Sequence, residues 1–210
     1  MFNVAFLRTY AGGDILATQK LPKGLSLSQE EKLLTFLKER NFRDYTLVKL
    51  CLSTGLRTSE ALGLNVGDVY AFGAVNNMLE VRAAVSHRGN TRPLPLIEDL
   101  QSTLQDFISW KKVHGELLDF HSPLFVTERN RRRLAPRDFQ RLMKKATNEA
   151  LAENFPPHSL RHTFAQKLSR KTNLKVVQQV LGHGHPRSTS IYKKTEEDKL
   201  KEAFEAALER

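Results

Sequence analysis

The chain has 210 residues, with 33 lysines and arginines against 23 aspartates and glutamates, so its formal net charge is +10. With 40% apolar and 27% charged residues, the composition is that of a globular protein rather than a disordered one. No run approaches the roughly 18 apolar residues that a membrane-spanning helix needs, which excludes an integral membrane protein of the helical type.

The first third of the chain predicts three helices. Residues 1–24 show no sustained period and are interpreted as an N-terminal extension or the remnant of a linker. The capping box Ser28–Glu31 predicts the start of a first helix. A second helix is expected over about 43–53, ending at Gly55, where a C-terminal cap is favoured. A short third helix is expected over 58–63.

The rest of the chain predicts one hairpin and several further helices. Two strands, 78–85 and 91–96, are joined by a Gly-Asn turn. The apolar spacing over 98–113 predicts a helix. Further elements are expected as a short strand over 122–127 and helices over 136–151, 158–170, 174–181, 187–193 and 196–209. The fold class is therefore mostly α with a small antiparallel β-sheet (α+β).

Four short segments carry residues of the kinds that perform chemistry. They are TGLRTSEAL (54–62), HSLRHT (158–163), LGH (181–183) and Tyr192, which lies nine residues beyond the last histidine. His158 and the arginine three residues after it share one helix face. Two prolines just before His158 mark a helix start, where backbone N–H groups favour a phosphate.

The arginines and the tyrosine of these segments suit chemistry on a phosphodiester. Arg57 and Arg161 can both fork onto the non-bridging oxygens and stabilise the charge of a phosphorane-like transition state. A phenol, with a pKa near 10, is a poor nucleophile at neutral pH, so Tyr192 needs a cationic site and a proton acceptor, a role that a histidine fits. The acidic residues do not cluster with the histidines, so neither a metal site nor a cofactor is expected.

In their order and spacing, these segments resemble the catalytic domain of tyrosine recombinases, the phage-integrase and Xer-type family of site-specific DNA recombinases. The resemblance covers about 25–210. It implies the tyrosine recombinase catalytic-domain fold and an enzyme that breaks and rejoins DNA through a 3′-phosphotyrosyl intermediate, without metal or ATP. Double-stranded DNA is the expected partner, and the net positive charge favours such a polyanion.

The resemblance also implies a role for each catalytic residue. Arg57 and Arg161 match the two arginines that clamp the phosphate. His158 matches the histidine that assists proton transfer from the tyrosine, and His183 matches the one that hydrogen-bonds the phosphate. Tyr192 matches the nucleophile.

Supporting and DNA-binding residues are expected beside this set. Glu60, three residues after the first arginine, matches an acidic residue that supports the site. A dense basic run is interpreted as a DNA-backbone contact, with its members from position 133 onward on one helical stripe. The run extends from Arg129 to Lys145, and its candidate DNA-binding residues are Arg131, Arg132, Arg133, Arg137, Arg141 and Lys144.

The resemblance extends to assembly and location. We expect a homotetramer on DNA and a monomer or weak oligomer without it. The C-terminal helix, about 196–209, docks on a neighbouring subunit in related recombinases, although folding back on its own core is equally compatible with its apolar stripe.

The lone Cys51, in an apolar run, is interpreted as a small buried residue. With no secretory signal at the N-terminus, a cytoplasmic, nucleoid-associated protein is expected.

Two departures from the family pattern stand out. Family members carry an N-terminal core-binding domain of about a hundred residues, which 24 residues cannot form. We therefore expect 25–210 to be an excised catalytic domain or a naturally short relative. The family also places a lysine in the hairpin as the acid for the leaving group, and here none is present. Arg88, favoured by alignment on the Gly-Asn turn, and His87 are the candidates for that position.

Two other functions remain open from the sequence. One is a DNA-binding module of the same fold with impaired catalysis, which the missing lysine favours. The other is DNA relaxation by a type IB topoisomerase, which shares this chemistry, although the LGH segment and the nine-residue step to the tyrosine favour a recombinase.

Overall fold

A computed structural model describes residues 24–83, 91–172, 176–177, 180–182 and 193–208, the stretch 193–200 at the level of the backbone. The site residues His183 and Tyr192 and the hairpin residues His87 and Arg88 lie outside these ranges. Most residues of the helices expected over 174–181 and 187–193 also lie outside these ranges. Among those that are described, Val176, Val177, Val180 and Lys193 are helical.

Three helices open the described chain. Helix α1 (Leu27–Arg40) is capped by Ser26, whose hydroxyl accepts from the Gln29 N–H while the Gln29 amide oxygen accepts from the Ser26 N–H. The cap predicted at Ser28 was therefore two residues late, because the Ser26–Gln29 pair satisfies the same motif. Helix α2 (Phe42–Thr54) ends at Gly55 in the left-handed conformation, and helix α3 spans Thr58–Gly63, both as predicted.

Short elements follow α3 and form two separate two-stranded ribbons. Helix α4 (Val66–Val69) leads into strands β1 (Tyr70–Ala71) and β2 (Ala74–Val75), which the sequence did not predict because such short elements carry no period. Strands β3 (Met78–Val81) and β4 (Arg92–Pro95) pair antiparallel, with Val81 opposite Arg92. This is the predicted hairpin, although its first strand ends four residues earlier than expected.

Four longer helices complete the described fold. Helix α5 is Glu98–Val113, helix α6 is Pro136–Leu151 with its proline in the first turn, helix α7 is His158–Lys171 and helix α8 is Lys193–Leu208. The segment 122–127 was predicted as a strand and forms only isolated bridges, Asn65 with Pro123 and Val126 with Arg133. The mostly helical fold class with small antiparallel sheets is confirmed.

Helix α2 lies at the centre of the core. Every residue from Tyr45 to Thr54 is buried, since the helix packs against α1, α5 and α7. Cys51 is buried and free of a disulfide, as expected. Burial raises the pKa of its thiol to about 12, so it is a small apolar residue rather than a nucleophile.

Helix α8 folds back on the domain. It packs against α7 and β4, where the Phe204 ring lies 5.2 Å from that of Phe164 and is fully buried. Ala207 is buried beside it. Among the described residues, no helix is both long enough and apolar enough to cross a membrane.

Candidate active site

The two predicted arginines reach the site from opposite ends of the sequence. Arg57 is the N-cap residue of α3, immediately after the turn at Gly55 and Leu56. Arg161 lies in the first turn of α7, one turn beyond His158. The His158 side chain is exposed, whereas Arg57 and Arg161 retain 23% and 13% side-chain exposure. A group arriving from solvent can therefore reach all three.

A buried carboxylate brings these arginines together. Glu60 has no exposed surface, and its Oε1 accepts from Arg57 Nη1 at 3.0 Å. Its Oε2 accepts from the Arg57 backbone N–H at 2.8 Å and lies 4.0 Å from Arg161 Nη1. The predicted supporting residue thus contacts one clamp arginine directly and faces the other.

The Glu60 carboxyl is ionised despite its burial. Burial acts to raise its pKa, but hydrogen bonds and charge from Arg92, followed by those from Arg57, lower the pKa to about 2. A carboxylate that is both buried and charged requires such partners. The site therefore holds a fixed negative charge surrounded by guanidinium groups.

Backbone carbonyls fix the guanidinium group of Arg161. Its Nη1 donates to the Gly55 carbonyl at 2.6 Å and its Nη2 donates to the Leu181 carbonyl at 2.6 Å. Helix α7 is thereby bonded both to the turn that follows α2 and to the first residue of the LGH motif. Two of the four predicted motifs are in direct contact, and the described part of a third joins them.

Arg92 is a site residue that the sequence analysis missed. It is buried at the start of β4 and donates to both Glu60 oxygens, at 2.9 and 2.7 Å. A usable signal was present in the strand alternation, because Arg92 lies two residues before Leu94 and therefore shares its buried face. A charged residue on the core face of a strand requires a buried counter-ion.

The turn before Arg57 is tightly packed. Gly55 has φ +63°, and a Cβ placed there would lie 2.3 Å from Cδ1 of Phe164. Glycine is needed both for the left-handed conformation and for the close approach of the ring.

On the outer face of α7, His162 is half-buried and lies within hydrogen-bond distance of the Gln166 amide, 3.1 Å away, which fits a structural role.

The basic run divides into inward-facing and outward-facing members. Arg133 precedes α6 and donates to the carbonyls of Leu62 and Leu64 and to the Asn65 side chain, at 2.6–2.9 Å. Its placement on the helical stripe was wrong, since α6 begins at Pro136 and the Arg133 guanidinium group instead stabilises the end of α3. The other members are exposed, and several pair with nearby acids. These pairs are Arg131 with Glu116, and Arg132 and Arg141 with Asp138.

The chain belongs to the phage integrase family, whose model matches residues 23–199. It is 30% identical over 190 residues to a tyrosine recombinase XerA of Pyrococcus furiosus, covering 89% of this chain and 62% of the relative. It is 31% identical over 193 residues to a tyrosine recombinase XerC of Pseudomonas fluorescens, covering 90% and 61%. The chain thus spans about three fifths of the length of these curated relatives.

Solved structures show the same fold. The crystal structure of XerA recombinase superposes with a TM-score of 0.66 at 25% identity, covering 91% of this chain and 67% of that one. XerH site-specific recombinase bound to difH substrate gives 0.62 at 25%, covering 79% and 48%. The Tn1549 transposon integrase in complex with transposon right end DNA gives 0.64 at 22%, covering 88% and 67%.

Proposed function

We propose that this chain is a site-specific DNA recombinase that cleaves and rejoins DNA through a 3′-phosphotyrosyl intermediate. The observation that carries the proposal is the pair of solvent-reachable arginines, Arg57 and Arg161, held within 4.0 Å of one buried carboxylate and next to His158. The proposal is supported by the relatives named tyrosine recombinases and by the similar structure of XerH site-specific recombinase bound to difH substrate.

The reaction follows from the charges at the site. Arg57 and Arg161 bind the non-bridging oxygens of one phosphodiester and stabilise the charge that builds up in the transition state. The Tyr192 oxygen attacks phosphorus while His158 accepts the phenol proton, and His183 hydrogen-bonds the phosphate. The bond to the 5′-oxygen breaks as the phosphotyrosyl bond forms. Attack by a partner strand's 5′-hydroxyl reverses the step and releases the tyrosine.

The departing 5′-oxygen needs a proton, and the hairpin is the proposed source. Histidine donates a proton readily near neutral pH, whereas arginine stays protonated and stabilises an alkoxide by charge. We favour Arg88 over His87, because a cation suits the negative potential of the minor groove. In a substrate with sulfur at the bridging 5′ position, the sulfur leaving group departs without an acid. This substrate should therefore restore cleavage by whichever of Arg88→Ala and His87→Ala has lost the proton donor. If neither variant slows cleavage of normal DNA, the hairpin does not supply the acid.

Binding and assembly complete the proposal. Exposed members of the basic run, Arg137 and Lys144 on α6 above all, contact the DNA backbone. Four copies assemble on DNA and separate into monomers or weak oligomers without it, and the protein acts in the cytoplasm at the nucleoid. Sedimentation with and without DNA tests the assembly, and a single copy per site at saturation would exclude the tetramer.

The function is tested by trapping the covalent intermediate. DNA fragments from the chain's own genomic neighbourhood are incubated with the protein, and SDS is then added to denature the protein. We expect an SDS-resistant adduct that is lost in Arg57→Ala, Arg161→Ala and Tyr192→Phe, while the tyrosine variant keeps DNA affinity within a few-fold. Specific DNA binding without any adduct would favour the non-catalytic DNA-binding module instead.

A further inference from the structure

Arg92 joins three parts of the active site that are far apart in sequence. Its Nη1 and Nη2 donate to the two oxygens of Glu60, 32 residues away. Its Nε donates to the Val180 carbonyl at 2.9 Å, 88 residues away. The side chain is 10% exposed, and all three of its nitrogens are bonded to protein groups, so it has no fork left for a DNA phosphate.

The contacts of Arg92 also fix the backbone just before His183. Gly182 has φ +65°, and a Cβ placed there would lie 3.3 Å from Arg92 Nη1. The Arg92 side chain thus packs against the residue that precedes the predicted phosphate-binding histidine. The hairpin strand β4, helix α3 and the LGH segment meet at this one guanidinium group.

The charge balance at Glu60 depends on Arg92. The Arg57 side chain reaches Glu60 through one Nη, beside the bond from its backbone N–H. Arg161 Nη1 lies 4.0 Å from the carboxylate, and its two Nη atoms donate to backbone carbonyls. Among the described residues, Arg92 is the one whose guanidinium group donates to both carboxylate oxygens, the strongest geometry for such an ion pair. Without it, the buried charge of Glu60 would have to be neutralised by the two arginines that are needed for the substrate.

We propose that Arg92 is a positioning residue that neutralises Glu60, so that the carboxylate orients Arg57 and Arg161 without capturing them. Removal of Arg92 leaves a site in which the two clamp arginines fold onto Glu60 and bind a phosphate poorly. The rate measurements rest on the proposed function, whereas the binding of inorganic pyrophosphate is a readout that is independent of catalysis.

The test compares Arg92→Met with three other variants. Single-turnover cleavage at saturating DNA should fall on the order of 10²-fold in Arg92→Met, the size of effect seen when a transition-state donor is removed. Arg92→Lys, which keeps the charge, should retain most of the rate. Arg92→Met combined with Glu60→Gln should be faster than Arg92→Met alone, because the carboxylate no longer captures the clamp. A double variant no faster than the single one would overturn the proposal.

Arg82→Met is the matched control. Arg82 follows the other strand of the same hairpin and pairs at 2.8 Å with Asp68, whose side chain is 7% exposed and lies outside the site. We expect its loss to leave the cleavage rate within a few-fold of wild type. Equal losses of rate in Arg82→Met and Arg92→Met would mean that the hairpin needs its ion pairs only to fold.

The pH dependence separates an electrostatic role from a structural one. In the described part of the chain, the charged and titratable groups that face Glu60 are Arg57, Arg92, Arg161 and the Cys51 thiol, whose raised pKa keeps it neutral over the working range. Loss of Arg92 raises the pKa of Glu60, and protonation then releases the clamp. The rate of Arg92→Met relative to wild type should therefore rise as the pH falls from 8 to 5. A constant ratio would contradict the proposal.

Binding of inorganic pyrophosphate provides the readout that does not need catalysis. Titration calorimetry should show weaker binding to Arg92→Met than to wild type, by about tenfold, and recovery in the double variant with Glu60→Gln. If the wild-type protein forms no DNA adduct yet follows this pattern, the proposed function fails and the role of Arg92 stands. If it forms adducts but pyrophosphate binds Arg92→Met as well as wild type, the role of Arg92 fails.

Discussion

At the scale of single residues, the Glu60 carboxylate is the group around which the arginines of the site are arranged. A fully buried carboxylate stays charged here because three arginines approach it, two of them through direct hydrogen bonds. The residue was expected to support the site, and its direct partner Arg57 was expected nearby, because both lie within one short motif. Arg92 was not expected: strand alternation places it on the buried face of β4, but does not identify its counter-ion 32 residues away.

The charge of Glu60 predicts a specific dependence of stability on pH. Its pKa is about 2 in the folded state and 4.5 in the ordinary case, so the stabilisation is present above pH 4.5 and is lost as the pH falls toward 2. The difference in free energy of unfolding between wild type and Glu60→Gln should shrink by ~3 kcal/mol over that range. Urea titrations at several pH values measure it, and a difference that stays constant would mean that folding does not lower the pKa of Glu60.

Gly55 predicts a loss of stability with two separable causes. Gly55→Ala must strain the backbone at φ +63° and displace the Phe164 ring, whereas Gly115→Ala, at φ +64°, meets open space. We expect Gly115→Ala to cost roughly 1–2 kcal/mol and Gly55→Ala a further 1–3 kcal/mol. Urea unfolding of the two variants measures the difference. Equal losses would show that the ring does not confine this turn.

At the scale of secondary-structure elements, long periodic segments were predicted well and short ones were not. Helices α5, α6 and α7 begin and end within a residue of the expected positions, because apolar spacing and the prolines at the starts of α6 and α7 are local signals. Helix α4 and strands β1 and β2 have two to four residues each, too few to show a period. The segment 122–127 is apolar enough for a strand, but its partners on either side pair with it at single residues only.

Helix α8 predicts how far the domain depends on its last element. Phe204 is fully buried against Phe164, whose ring in turn confines the turn before Arg57. Phe204→Ala should lower the free energy of unfolding by roughly 3–5 kcal/mol. Phe72→Ala is the matched control, since Phe72 is fully exposed at the tip of the β1–β2 ribbon. Equal effects of the two substitutions on urea unfolding would mean that α8 is not docked on its own domain in solution.

At the scale of the whole molecule, the net charge of +10 predicts DNA binding that weakens with salt. Lys144 is exposed on α6 and Lys112 is exposed on α5. If α6 follows the DNA backbone, Lys144→Ala should reduce the magnitude of the negative slope of log K against log salt by about 1. Lys112→Ala should leave that slope unchanged. Fluorescence anisotropy over a salt series measures both slopes. Identical slopes for wild type and Lys144→Ala would remove α6 from the interface.

The basic run shows why charge alone could not define that interface. Six residues of one run were expected to face DNA, yet Arg133 donates to three acceptors within the protein. Its exposed neighbours Arg132 and Arg141 share Asp138. Net charge and clustering do not tell which guanidinium groups stabilise the fold, because that depends on carbonyls brought close by tertiary packing.

Mapping the covalent bond tests whether Arg57 and Arg161 hold a DNA phosphate for attack by Tyr192. The SDS-resistant adduct is digested with protease and nuclease, and the nucleotide-bearing peptide is sequenced by tandem mass spectrometry. We expect a 3′-phosphate on the Tyr192 oxygen and a free 5′-hydroxyl on the released strand. A phosphate on any other side chain, or a bond through the 5′ end of the DNA, would contradict the account.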